Sequence, residues 1–127
     1  MYEDFEKKAN LYLDASDEIY CYANIPIFYT IANKTPTVKA VVPWFDVSRE
    51  TTIWEDLDYL KSNNPKMIVF NDHTMAAVDA HQELYGDKTA HYELYSWLLE
   101  CRDSPESRYE VVSTYSGAYN TYLLVLK

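Results

Sequence analysis

A chain of 127 residues has room for one domain, and with 48% hydrophobic residues it carries enough apolar area for a real core. Twenty Asp and Glu against eleven Lys and Arg give a net charge of -9, which repels a phosphate backbone and argues against nucleic acid as a partner. The two glycines, Gly86 and Gly117, stand far apart, which excludes the dinucleotide fingerprint and the phosphate-cradling loop, since both need clustered glycines.

Phe5, Ala9, Tyr12 and Leu13 recur at helical spacing behind an acidic first turn, predicting an amphipathic N-terminal helix that ends in 14–17. Residues 19–23 form a short apolar run rich in β-formers, expected as a strand covered on both faces and closed by Asn24. Pro26, with its preset φ and no N–H, suits the first turn of a helix through Ile27, Phe28, Tyr29 and Ile31. The stretch 38–42 reads as a second strand, stopped by Pro43 ahead of an exposed Trp44-Phe45-Asp46. Thr52 with Glu55 reads as a capping box for a helix whose Ile53, Trp54, Leu57 and Leu60 share a face, terminated by Asn63-Asn64-Pro65.

The apolar run 67–70 is expected as a central parallel strand with Asn71-Asp72-His73 at its carboxyl end. A helical region from about Met75 to Cys101 follows, interrupted at Gly86-Asp87 and ended by Ser104-Pro105. Segments 109–115 and 119–126, joined by Ser116-Gly117-Ala118, predict an antiparallel hairpin. Strands separated by helices until that hairpin imply a single α/β domain over 1–127. It is a three-layer, Rossmann-like, mostly parallel sheet with helices on both faces and a C-terminal antiparallel hairpin.

Ligands of such sheets sit beyond the carboxyl ends of the strands. That rule selects Asn24, Trp44, Phe45, Asp46, Asn71, Asp72 and His73. Asp72 beside His73 could transfer protons, although Asn71 or Asp72 is equally the expected N-cap of the next helix. His73, His81 and His91 do not have the spacing of a metal pair, and Cys21 and Cys101 are expected as buried free thiols, so neither a metal nor a cofactor is expected. A phosphoreceiver site fails because Asp17 and Glu18 precede the first strand, and no serine sits in a nucleophile elbow. The thirteen tyrosines are expected mainly in strand packing, some forming with Trp44 a surface for sugar rings or another protein. No stretch reads as a membrane span: 19–32 is broken by Asn24, Pro26 and Thr30, and the acidic start lacks the features of a signal peptide.

The run Asp17-Glu18-Ile19-Tyr20-Cys21-Tyr22-Ala23-Asn24, then Pro26-Ile27-Phe28-Tyr29, Thr35-Pro36, Tyr59-Leu60 and Asn64-Pro65-Lys66-Met67-Ile68-Val69-Phe70, resembles the soluble tail of bacterial GT-C-type polytopic glycosyltransferases. These are enzymes similar to dolichyl-phosphate-mannose protein mannosyltransferases. The likeness covers about residues 12–72; Asn24 stands where that family has glycine, and Asn tolerates the left-handed turn. The resemblance implies an accessory extracytoplasmic domain of a longer membrane protein that uses a lipid-phosphate sugar donor. It places the catalytic acid in a loop between membrane helices, so no catalytic residue is expected in 1–127. Implied partners are the transmembrane part of the same polypeptide and a glycan or acceptor, with Met1 an internal methionine. The candidate ligand-binding set is Asn24, Tyr29, Trp44, Asp46, Asn71, Asp72 and His73. The alternative is a free-standing cytosolic α/β ligand-binding or regulatory module.

Overall fold

Phe5 and Ala9, four residues apart, are the buried side chains of α1 (Tyr2–Tyr12), whose first turn carries Glu3 and Asp4 where the helix dipole favours acids. A computed structural model describes residues 1–23, 25–44, 48–86 and 89–127. After α1 come β1 (Ile19–Tyr22), α2 (Ile27–Ile31), α3 (Glu50–Asn63), β2 (Met67–Asn71), α4 (Thr74–Tyr85), α5 (Thr89–Asp103), β3 (Tyr109–Tyr115) and β4 (Thr121–Leu126). Pro26 opens α2 with φ -65, as expected of a residue whose ring presets that angle. Asn64 ends α3 in the left-handed region at φ 49, its N–H donating to the Leu60 carbonyl at 2.9 Å, and Gly86 ends α4 at φ 80.

The four strands form one sheet in the order β1-β2-β4-β3. β1 runs parallel to β2, with Ile19 opposite Met67 and Tyr22 opposite Phe70; β4 pairs antiparallel with both β2 and β3. The sheet is therefore mixed, and the mostly parallel Rossmann-like arrangement expected from the sequence is corrected. The terminal hairpin forms as expected, but β4 inserts beside β2 and contributes two of the three pairings, both antiparallel.

Alternation along the strands divides the core. Tyr20, Tyr22, Ile68, Phe70 and Leu124 face one cluster, with Ile53, Leu57 and Leu60 of α3, Val78 of α4, and Leu94, Tyr95 and Leu98 of α5. Ile19, Cys21, Met67, Val69, Leu123 and Val125 face the other, with Phe5 and Ala9 of α1 and Phe28 and Tyr29 of α2. Helices thus cover both faces. Cys21 and Cys101 are free and buried in different clusters, so the sheet separates them.

The expected strand at 38–42 is corrected to a loop. Its Lys39 and Ala40 amides each donate at 2.8 Å to a different carboxylate oxygen of Asp56, a buried residue of α3. These amides are thereby held by a side chain instead of a neighbouring strand. Val38 and Ala40 are buried and Lys39 and Val41 exposed, an alternation that here belongs to a bent loop held to α3. The capping box is also corrected: α3 begins at Glu50, with Arg49 as N-cap and no side-chain cap. Glu50 instead accepts the Ala90 amide at 2.7 Å, joining the start of α3 to α5, and Glu55 pairs with Lys39. Among the described residues no helix is long and apolar enough to cross a membrane.

Candidate functional site

β2 runs through the core and delivers Asn71, Asp72 and His73 to the start of α4, where the β3–β4 turn comes alongside. The Asn71 carboxamide donates to the Thr121 hydroxyl at 2.8 Å, and the Asp72 amide donates to the Asn120 carbonyl at 2.9 Å. These two bonds clamp the end of β2 to the start of β4.

The Asp72 carboxylate accepts three hydrogen bonds. One oxygen accepts the Tyr95 hydroxyl at 2.7 Å and the Thr74 amide at 2.8 Å; the other accepts Arg102 Nη1 at 2.7 Å. Burial works to raise its pKa, but the hydrogen bonds from Tyr95, Arg102 and the Thr74 amide outweigh it and leave the pKa below the ordinary carboxylate value. The Tyr95 hydroxyl is pushed up, first by burial and then by its bond to that carboxylate. Arg102 spends Nε and Nη2 on Asp103, at 2.7 and 2.8 Å, while its guanidinium lies 4.6 Å from the centre of the Tyr122 ring. Thr74 has φ 73, a left-handed conformation unusual for a β-branched residue, and the bond from its amide to Asp72 helps to hold it.

His73 is the N-cap residue of α4 by backbone position, but its ring makes no cap. The imidazole stacks on Tyr119 with centroids 4.4 Å apart and planes 21° apart, and it also packs on Trp44 at 4.8 Å. Burial lowers its pKa, and the neighbouring His81 adds to this against the opposite pull of Asp72. Trp44 is buried between His73 and His81 and also meets Tyr22. The sequence placed Trp44 on an exposed surface; it is instead the packing block behind His73. Tyr119, which the sequence placed in a strand, lies in the turn before β4 and is 42% exposed.

Four of the seven candidates, Trp44, Asn71, Asp72 and His73, therefore meet at one end of the sheet. Tyr29 does not join them. It is buried on the opposite face, where its hydroxyl accepts the Cys21 amide of edge strand β1 at 3.1 Å. Asn24 and Asp46 lie outside the described residues. The proton-transfer reading of Asp72 with His73 fails on geometry, since the carboxylate is given to Tyr95, Arg102 and Thr74 while the imidazole is packed between aromatic rings.

Beside this packing lies a cleft of about 190 Å³ lined by Asp72, Thr74, Ala118, Tyr119, Asn120 and Tyr122. Of these, Asp72 was in the candidate set, and Tyr119 and Tyr122 entered only among the tyrosines expected in or beside strands, some of them as a sugar-stacking surface. Tyr95 and Arg102, which hold Asp72, lie 23 and 30 positions away, and no local spacing connects them. A larger hollow, about 290 Å³, lies near the opposite end of β2, beside Trp97, Cys101 and Tyr109. There the Ser107 hydroxyl donates to the Cys101 carbonyl within the α5–β3 turn, and the Tyr109 hydroxyl donates to the Pro65 carbonyl, tying the start of β3 to the α3–β2 connection. Among the described residues no three His, Cys, Asp or Glu side chains come together as a metal site. Comparison with protein-family models, curated proteins and solved structures found no match.

Proposed function

We propose that this domain works by binding, as the accessory extracytoplasmic part of a polytopic membrane glycosyltransferase that uses a lipid-phosphate sugar donor. In this reading the cleft at the carboxyl end of β2 receives a glycan or the acceptor, and the chemistry takes place in the transmembrane part of the same polypeptide. The observation that carries the binding role is the half-exposed Tyr119 ring, backed by His73 and set beside a carboxylate already engaged by three donors. Such a site offers a flat apolar face with polar groups at its margin and no free base. The membrane assignment rests on the resemblance over residues 12–72. In support, β1, the Pro26-led α2, α3 and the Asn64-Pro65 step into β2 follow one another in that order. We read β1, its crossover and β2 as a reduced Rossmann-like unit, which accounts for a site beyond the strand ends.

Two experiments test this reading. Titration of a broad oligosaccharide panel should change the tryptophan fluorescence, because Trp44 contacts His73 and His73 contacts Tyr119. A flat response across the panel removes the glycan role. Reading the gene upstream of Met1 tests the membrane assignment: codons for several transmembrane helices support it, and an in-frame stop immediately before Met1 sinks it.

A further inference from the structure

The Tyr119 ring has two unlike faces. His73 stacks nearly parallel on it, the residue is 42% exposed, and Tyr119 is among the residues that line the cleft. A ring backed in this way is held in place before any ligand arrives, so little ordering cost remains. Around it stand three polar groups of different character. Asp72 accepts three hydrogen bonds, and a carboxylate has about four acceptor positions, so roughly one is left. The Thr74 hydroxyl can donate and accept, and the Asn120 carboxamide can do both through separate atoms. Arg102, whose guanidinium lies 4.6 Å from the centre of the Tyr122 ring, directs Nη1 to Asp72 and Nε and Nη2 to Asp103, so its charge is met by two carboxylates.

A single apolar face with a margin of mixed donors and acceptors matches a pyranose ring, which has a C–H face and hydroxyls at its edge. Resting on the glycan-binding reading above, we propose that this cleft is a subsite for one uncharged pyranose unit, stacked on Tyr119 and hydrogen-bonded by Asp72, Thr74 and Asn120. Sugars bearing a carboxylate or phosphate are rejected, because the residues lining the cleft include the Asp72 carboxylate and no Lys, Arg or His, and the whole chain carries -9.

The test is NMR on the intact chain, following amide shifts and saturation transfer with three probes: a neutral mannotriose, a uronic-acid oligosaccharide and mannose 6-phosphate. The expected result is that mannotriose shifts the amides of Thr74 and of 118–120, and that both anionic probes bind at least about tenfold more weakly at low salt, a gap that narrows as salt is added. Tyr119→Ala should weaken mannotriose about tenfold, and Asn120→Ala by a smaller factor. The amide spectra of both variants show whether the fold is kept. Binding of an anionic probe as tight as that of mannotriose, or mannotriose binding unchanged in a folded Tyr119→Ala, overturns the subsite and leaves the glycan role standing. Absence of binding to all three probes, together with a flat oligosaccharide panel, overturns both.

Discussion

Asp72 has a neighbour in sequence that suggests chemistry and neighbours in space that prevent it. Its carboxylate joins α5, through Tyr95 and Arg102, to the start of α4, through the Thr74 amide. Both ends of the Asp72–Arg102 pair are largely buried, at 14% and 17% side-chain exposure, so the attraction is weakly screened. Asp72→Ala should cost about 2–3 kcal/mol of unfolding free energy in urea denaturation, since it leaves a hydroxyl and a guanidinium short of their acceptor. Tyr20 gives the opposite expectation. Its hydroxyl is buried with no hydrogen-bond partner among the described residues, and burial pushes its pKa well up. Tyr20→Phe removes a desolvated polar atom while keeping the ring, and should raise stability by about 1 kcal/mol in the same assay. No sequence pattern shows how either side chain is bonded, because a hydroxyl's partners are set by packing between distant elements.

The segment 38–42 shows what hydrophobic alternation can and cannot say about an element. It correctly marks which side chains are buried, Val38 and Ala40, but it does not say where the backbone amides go. Those amides go to Asp56, which the period of α3 places on its inner face as the buried acid of the helix. Asp56→Ala should therefore cost about 3 kcal/mol, and Asp56→Asn, which keeps one acceptor, about half of that, both read from urea midpoints. α1 is held to the other side of the molecule by a similar device. Asp4 accepts the Tyr115 hydroxyl at 2.6 Å, the Ser113 hydroxyl at 3.1 Å and the Lys8 ammonium at 3.1 Å. With the Tyr115 bond as the largest cause, followed by Lys8, its pKa falls from 3.8 to about 2. A group lowered on folding stabilises the fold fully above its unfolded pKa and loses that effect as pH falls through the folded value. The Asp4 contribution is therefore complete above 3.8 and fades towards pH 2, and Asp4→Asn should flatten the stability profile across that window. The ends of α2 and α3 were legible because Pro and Asn act locally; the start of α3 was not, because its first turn is anchored by the Ala90 amide forty residues on.

At the scale of the whole molecule, the number of helices and the terminal hairpin followed from pattern, whereas the sheet order did not. Counting 38–42 as a strand made a parallel sheet look long enough to be doubly wound, and a hairpin signal says nothing about which strand the hairpin will join. The site was half legible for the same reason: a rule about strand ends found Asp72 and His73, but Tyr119 and Asn120 enter only because β4 lands next to β2. That placement also governs the order of events during synthesis. β4 bridges β2 and β3 and is the last of the four strands to leave the ribosome, so β1 and β2 must wait with an open edge until residue 126 has emerged. Ribosome-bound chains halted before Thr121 should be cleaved readily by protease within the β2 region, and chains halted well past Leu126 should resist. Until β4 arrives, the edge of β2 that it will cover stays open in the nascent chain.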